Sequence, residues 1–368
     1  MDYYDSGFAT GLASNDVDVI WYSCDASEVR GGCSVSLVRS FRGVWGTDPG
    51  WKRGLRYLKG FFNAFKHARQ RGARIAHFHV FHVGVLEAAG VLMARAAGLR
   101  SVVTVHDVEA FKPGSRSKLM RSITYGLSTR LIVHNNTSRA ELLTRSGVRP
   151  EKVSVIPHGS YLGLVAPSID RMKARRVLGL PEHEERLILF FGQIKDVKGL
   201  DLLLEAFGNV QAELGRCRLL IAGKVWKADF SRYQAIIDQH ELADLVDLRI
   251  RYIPDSDVAA YYSAADLVVL PYRKIYQSGV LLMAMSFGTP VLASDLPGMT
   301  EIVEAGRNGF LFRSGDSDDL ARELIRVLND HAGRASVARQ ALHDMETRFS
   351  WHAIGCDLKG VYQEALNQ

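Results

Sequence analysis

The segment from Pro271 to Asp295 carries the plainest chemistry in the chain, reading as strand end, polar loop, helix, Gly-Thr-Pro turn and strand. In that order Gln277, Ser278, Gly279 and Val280 fall at a helix N-terminus. Unpaired backbone N–H groups and the helix dipole there favour an anion such as a diphosphate. Ser278 adds a hydroxyl, and it also fits a plain N-cap. Gly279 lets the backbone come close to a ligand. A second candidate is His106, which follows an apolar run at 101–105. It therefore sits at a strand's carboxyl end, the edge where ligands bind in open parallel sheets. A hydrogen-bonded loop histidine is the alternative. Asp107 and Glu109 are the acids of the same loop, and either suits a general base.

His77, His79 and His82 have a spacing that suggests a metal cluster at first sight. In a strand the first two share a face, but no His-Glu-x-x-His pattern or carboxylate partner follows. Asp16/Asp18, Asp255/Asp257 and Asp316/Asp318 are Asp-x-Asp pairs. The first precedes a strand, the second opens a helix carrying 258–262, and the third caps a helix from Leu320. No metal is expected.

The elements that must hold these residues alternate. Short apolar runs at 17–22, 75–80, 101–105, 131–133 and 153–156, then 187–191, 219–222, 267–270, 290–293 and 309–312, are separated by helical patterns. Such alternation implies right-handed crossovers and parallel sheets covered on both faces. The chain has 368 residues, more than one core usually serves, so two domains are expected. Strand pattern is lost over 157–185, placing the boundary near residue 160: an N-terminal domain at 1–160, a C-terminal domain at 161–348, and a closing helix within 349–368. Phe8 and Leu12 read as a first helix with no strand before it, although a Rossmann domain normally opens with one. The expectation is either a strand missing upstream or a trimmed domain.

Lys and Arg number 46 against 40 Asp and Glu, a net +6 that favours anionic ligands without resembling a polybasic nucleic-acid binder. Cys24, Cys33, Cys217 and Cys356 have neither Cys-x-x-Cys nor metal spacing, consistent with thiols in a reducing cytoplasm. No apolar run approaches the roughly 20 residues that cross a bilayer. The stretch 51–69, however, mixes aromatics with six Lys or Arg and no acid. It is either a basic amphipathic helix for an anionic membrane surface, or a helix burying Leu55, Leu58, Phe62 and Phe65 with its basic face in water.

Several weak pieces occur in one order: Thr104-Val-His-Asp107, Val155-Ile-Pro-His-Gly159, Phe190-Phe-Gly-Gln193, Lys198-Gly-Leu-Asp201, Leu219-Leu-Ile-Ala-Gly223, Tyr252-Ile-Pro-Asp255, Ala264-Ala-Asp-Leu-Val-Val-Leu-Pro-Tyr272 and Gly298-Met-Thr-Glu-Ile-Val303. In that arrangement the chain resembles family 4 of the GT-B glycosyltransferases (group 1). The resemblance implies an α/β fold with two Rossmann-like, doubly wound parallel-sheet domains facing a cleft. It implies transfer of a sugar from a nucleotide-diphosphate sugar to a glycan or lipid-linked acceptor, with retention, with no metal and no cofactor, in polysaccharide biosynthesis. The enzyme would be cytoplasmic, peripheral on the inner face of the cell membrane.

By the same resemblance, Gly192, Gln193, Lys195 and Lys198 join Gln277 to Val280 on the donor diphosphate. Gln193 stands where the family commonly has Arg. Glu301 is a further carboxylate near the donor, or else a helix-start acid. His106 would meet the donor sugar, and Asp107 and Glu109 would act as a base or bind acceptor hydroxyls. One departure is sharp: the family's paired glutamates align with Ile275 and Met283. A non-catalytic partner subunit and a sugar-nucleotide 2-epimerase are therefore the alternative readings.

Overall fold

The structure, a computed structural model, describes residues 2–108, 115–182, 186–227 and 229–368. They form two compact units, residues 1–159 with 349–368, and residues 160–348.

The first unit opens with α1 (Asp2–Ala13), whose Tyr4, Phe8 and Leu12 recur every fourth residue and bury one face. Asp16 then turns left-handed (φ 61°), so the strand expected from 17 begins later, as β1 (Ile20–Cys24). It pairs in parallel with β2 (Ser36–Phe41), which sequence reading missed because its polar and apolar residues follow neither period cleanly. Next come α2 (Gly50–Gln70), β3 (Ile75–Val80), α3 (Val85–Ala96), β4 (Arg100–Val105), α4 (Ser115–Leu127), β5 (Arg130–Val133), α5 (Asn136–Ser146) and β6 (Val153–Val155). β3 to β6 form a parallel sheet in sequence order. A single sheet was expected in this unit. Among the described residues there are two, because the ladder of β1 and β2 shares no pairing with β3.

The expected core face of α2 is also corrected. Leu55 and Phe62 are 58% and 61% exposed, whereas Gly60, Phe61, Ala64, Phe65 and Ala68 are buried. The stripe is rotated because Gly60 seats the helix against β2: a Cβ there would lie 2.5 Å from the Phe41 ring.

The second unit holds α6 (Arg171–Leu178), β7 (Arg186–Phe191), α7 (Leu200–Leu214), β8 (Cys217–Ala222), α8 (Ser231–Gln239) and β9 (Val246–Arg249). It continues through α9 (Asp255–Ala264), β10 (Leu267–Leu270), α10 (Gly279–Ser286), β11 (Val291–Ser294), α11 (Pro297–Thr300), β12 (Phe310–Phe312), α12 (Ser317–Asn329) and α13 (His331–Glu346). Its six strands among the described residues make one parallel sheet, ordered β12-β11-β10-β7-β8-β9. Leu203 and Phe207 of α7 and Leu320 and Leu324 of α12 join the core formed by Ile188, Phe190, Leu219 and Ile221. The chain then returns to the first unit as α14 (Trp351–Leu366), which packs on α1. Trp351 leaves no room for a Cβ at Gly7 or Gly159, where one would lie 2.1 and 2.4 Å from its ring.

Candidate functional site

In the second unit the strand order reverses between β7 and β10. An open parallel sheet forms its ligand crevice at such a point, outside the carboxyl ends of the strands. The loops at 192–199 and 271–278 leave those ends, and glycines bring them together. Gly199 is left-handed (φ 64°), and a Cβ there would lie 1.9 Å from the carbonyl oxygen of Pro271. Gly192 (φ 110°) has its own carbonyl within 1.8 Å of where a Cβ on Gly223 would stand. The Arg273 N–H donates to the Val197 carbonyl at 2.9 Å. Its guanidinium clasps Asp201 at 2.6 and 3.1 Å, while Asp196 pairs with Arg232 at 2.7 Å. Asp196 of the loop and Asp201 in the first turn of α7 are thus each matched by an arginine. Lys198 Nζ stands 3.6 Å from the centroid of the Tyr272 ring, and Lys195 Nζ lies 4.8 Å from that of Trp226.

The helix facing these loops is α10. Ser278 is its N-cap, its Oγ accepting from the Leu281 N–H at 3.2 Å, which leaves the hydroxyl hydrogen to donate to a ligand. The first-turn N–H groups of Gly279 and Val280 have no intrahelical acceptor. Gly279 is required, since a Cβ would lie 2.7 Å from Tyr161 Oη. Around this turn, Gln277 Nε2 and the Tyr262 and Tyr272 hydroxyls are buried without a protein partner. Burial, then the neighbouring Tyr272 and Tyr161, hold the Tyr262 phenol well above its usual pKa; burial alone pushes Tyr161 up to about 12. Sequence reasoning missed these tyrosines. The available signal was position: Tyr272 follows the β10 strand end and Tyr161 lies at the domain boundary expected near residue 160.

Glu301 is half-buried and ends α11 rather than starting a helix, which corrects the helix-start alternative. A carboxylate gains nothing from the dipole at that end. Its backbone carbonyl accepts from Arg348 at 3.4 Å. Of the Asp-x-Asp pairs, Asp316 caps α12 through the Asp319 N–H at 2.8 Å, and Asp255 and Asp257 lie in the first turn of α9.

In the first unit the carboxyl ends of β3 to β6 carry His79, His106, His134 and His158, and the ring of Tyr4 from α1 lies within 4.8–5.6 Å of all four. His106 is buried, stacked on Phe81 at 4.5 Å. Its Nδ1 lies 3.1 Å from His134 Nε2, and its Nε2 is buried with no protein partner. Burial, then the surrounding imidazoles, hold His106 well below the usual histidine pKa, so it is neutral at neutral pH. His77 stacks on His79 at 4.9 Å, but its nitrogens are taken by Tyr362 and Thr104, both at 2.7 Å. His82 stands apart in an exposed turn. Among the described residues no three His, Cys, Asp or Glu are grouped to hold a metal ion. Asp107 is half-buried, and Glu109 lies outside the described residues.

With this geometry, two family descriptions match: "Glycosyltransferase Family 4" over residues 7–160 and "Glycosyl transferases group 1" over 185–330. The D-inositol 3-phosphate glycosyltransferase of Corynebacterium aurimucosum is 30% identical over 64% of this chain and 57% of its own. The chain spans a little over half the length of that relative and of its counterpart in Stackebrandtia nassauensis (54%). In fold it is similar to sucrose-phosphate synthase of Thermosynechococcus elongatus, with TM-score 0.75 and 21% identity over 98% of this chain and 92% of that one. It is also similar to HepE of Anabaena, solved with UDP, with TM-score 0.69 and 19% identity over 90% and 86%. The D-inositol 3-phosphate glycosyltransferase 1 of Catenulispora acidiphila is 31% identical over 75% of this chain and 69% of its own, and on these matches the chain belongs to glycosyltransferase family 4, the group 1 glycosyltransferases of GT-B fold.

Proposed function

We propose that the chain transfers a sugar from a nucleotide-diphosphate sugar to a glycan or lipid-linked acceptor, with retention. The observation that carries this reading is the meeting, at the β7/β10 switch point, of two glycine-tightened loops, Lys198 and the first turn of α10. A diphosphate held there meets fixed N–H dipoles and a cation, which stabilise it as it departs without reorganisation. Gly192, Gln193, Lys195 and Glu301 complete the donor side in this reading. Gln277 supplies its buried amide as a donor where the usual glutamates are absent. On the acceptor side His106 meets the donor sugar, and Asp107 and Glu109 bind acceptor hydroxyls. Neither a metal nor a cofactor takes part.

The solved forms of HepE with UDP and UDP-glucose make a UDP-sugar the first donor to try. The curated relatives' name makes D-inositol 3-phosphate the first soluble acceptor, beside lipid-linked sugars. A thermal-shift panel of UDP, GDP, ADP and their sugar conjugates tests the donor site. A ligand at about 100 times its Kd stabilises by about 2.7 kcal/mol. One nucleotide standing out, followed by release of free nucleotide diphosphate only when acceptor is present, supports transfer. Silence across the panel overturns it. Ile275 and Met283 favour a second reading, a non-catalytic partner subunit, which predicts donor binding without release. Isomerised sugar formed without acceptor marks a 2-epimerase.

The site of action in this proposal is the inner face of the cell membrane, in polysaccharide assembly. Support comes from α2, where Trp51, Leu55 and Phe62 are 66%, 58% and 61% exposed beside Lys52, Arg53, Arg56 and Lys59. Apolar residues flanked by cations suit an anionic interface. Among the described residues no helix is long and apolar enough to cross a membrane.

A further inference from the structure

We infer that His134 is a positioning residue that fixes the tautomer of His106, leaving Nε2 of His106 as a bare acceptor for a substrate hydroxyl. The role given to His106 rests on the transferase reading above; the tautomer does not.

The argument follows the hydrogens. His134 Nδ1 lies 3.0 Å from the Ile156 carbonyl oxygen. A carbonyl can only accept, so Nδ1 carries the hydrogen. His134 is buried with the Tyr4 ring set edge-on to it, and burial lowers its pKa to about 4. At neutral pH it therefore carries one ring hydrogen only, and its Nε2 is a lone pair. That lone pair lies 3.1 Å from His106 Nδ1, which must donate to it. His106 is neutral as well, so its hydrogen is used on Nδ1 and its Nε2 has none. A backbone carbonyl at the end of β6 thus sets, through one imidazole, what the next imidazole presents.

The placement of that Nε2 fits the assignment. It is buried and has no protein partner, an unfavourable state unless a ligand or water satisfies it. Phe81 stacks on one face of the His106 ring and Tyr4 meets it edge-on, so the ring cannot turn to exchange its nitrogens cheaply. The groups facing the pair are Tyr4 from α1, His79 from β3 and His158 beyond β6; their neutral state keeps a competing charge away. No carboxylate is needed to hold the tautomer, in contrast to the aspartate of a serine-protease triad. The consequence is a hydrogen-bond acceptor: a hydroxyl donates to His106 and gains electron density at oxygen.

The decisive measurement is ¹⁵N NMR of the histidine side chains in the full chain at neutral pH. The expected pattern is a pyrrole-like Nδ1 and a pyridine-like Nε2 for His106, and the same for His134. His134→Asn keeps an amide donor for Ile156 and an oxygen acceptor for His106, so it should retain the His106 pattern. His134→Leu removes both, and His106 should move to the Nε2–H form or to a mixture. In turnover, His134→Leu is expected to lower kcat at least about tenfold relative to His134→Asn, with the donor KM within about twofold, the mark of an interaction made mainly in the transition state. A pyridine-like Nδ1 on His106 in the unaltered chain overturns the inference, and so does an unchanged tautomer in His134→Leu. If His134→Leu does not fold, the unaltered chain and His134→Asn still decide it. If no variant turns over any donor, the transferase reading fails while the spectra judge the tautomer separately.

Discussion

At the residue scale, the sequence pointed to the loops at 192–199 and 271–278 through the family resemblance and a helix N-terminus, and the fold brings those two loops together through glycine. Gly199 shows the physical cause: a left-handed φ and the Pro271 carbonyl both exclude a side chain. Gly199→Ala is expected to cost about 1–3 kcal/mol of stability. It should also lower donor affinity, because the two loops must part; unfolding by urea alongside a nucleotide titration checks this, and an unchanged midpoint would sink it. Lys198→Met should act differently. Lys198 stands over Tyr272 at a loop, not in the core, so the melting temperature should hold while affinity for the bound nucleotide diphosphate drops about tenfold or more, the worth of one charge-assisted contact. Equal affinity would remove Lys198 from the site. What sequence could not give was the occupation of polar atoms. Ser278 caps α10 by accepting from the Leu281 N–H and keeps its hydroxyl hydrogen for an anion, and Gln277 next to it has a buried amide to offer. His134 carried no signal, since its role depends on which carbonyl the fold sets against it.

At the element scale, the run 267–270 appeared as a strand at its expected ends because a buried parallel strand is continuously apolar, and 75–80 did so although His77 and His79 interrupt its apolar residues. β9 was missed because Asp247 and Arg249 interrupt the pattern; Asp247 is tolerated there by its ion pair with Arg218 on β8 at 3.0 Å. The attachment of α6 was equally invisible. Arg175 on that helix is almost fully buried and meets Asp266 at 2.8 Å, while Asp266 also accepts from the Leu187 N–H at 2.8 Å. Removing the acid strands a buried guanidinium, so Asp266→Ala should destabilise by about 3–5 kcal/mol in urea unfolding. A loss below about 1 kcal/mol would show that the pair adds little. For α2 the prediction concerns a surface. Each cation near an anionic interface contributes roughly 1 kcal/mol. Neutralising Lys52, Arg53, Arg56 and Lys59 together should therefore weaken co-sedimentation with phosphatidylserine vesicles by more than about 100-fold. Equal binding of the unaltered chain to neutral vesicles would count against the electrostatic part of this docking. The rotated stripe that leaves Leu55 and Phe62 outside came from Gly60, a residue that periodicity treats as silent.

At the scale of the whole molecule, the two units differ in what acid does to them. The first holds His79, His134 and His158 with pKa values lowered to about 3, 4 and 3, chiefly by burial, and His77 and His106 well below the usual value. The sign follows from proton uptake. In the unfolded chain each of these histidines binds a proton below about pH 6.5, and the folded unit refuses it. Stability is therefore complete above that pH and is lost as pH falls toward the folded values. Each group contributes a slope of about 1.4 kcal/mol per pH unit, so the three with stated values together give roughly 4. Asp5 on α1 works the other way. Burial raises its carboxyl to about 7, so the stability it contributes is complete below its unfolded value and fades as pH rises through 7, offsetting about one histidine between pH 4 and 6.5. The net slope exhausts an ordinary stability of 5–15 kcal/mol within a few pH units. Four of the five tryptophans, Trp21, Trp45, Trp51 and Trp351, lie in this unit, so fluorescence reports it. Thermal scans from pH 7.5 down to pH 4.5 should show the tryptophan transition moving steeply to lower temperature and separating from the far-UV signal of the second unit, which holds none of these histidines. Replacing His158 with Phe should remove one proton from the slope. A tryptophan transition that stays level between pH 7 and pH 5 would mean that the histidines at the strand ends accept protons in the folded state, and that the neutral ring cluster does not describe the unit in solution.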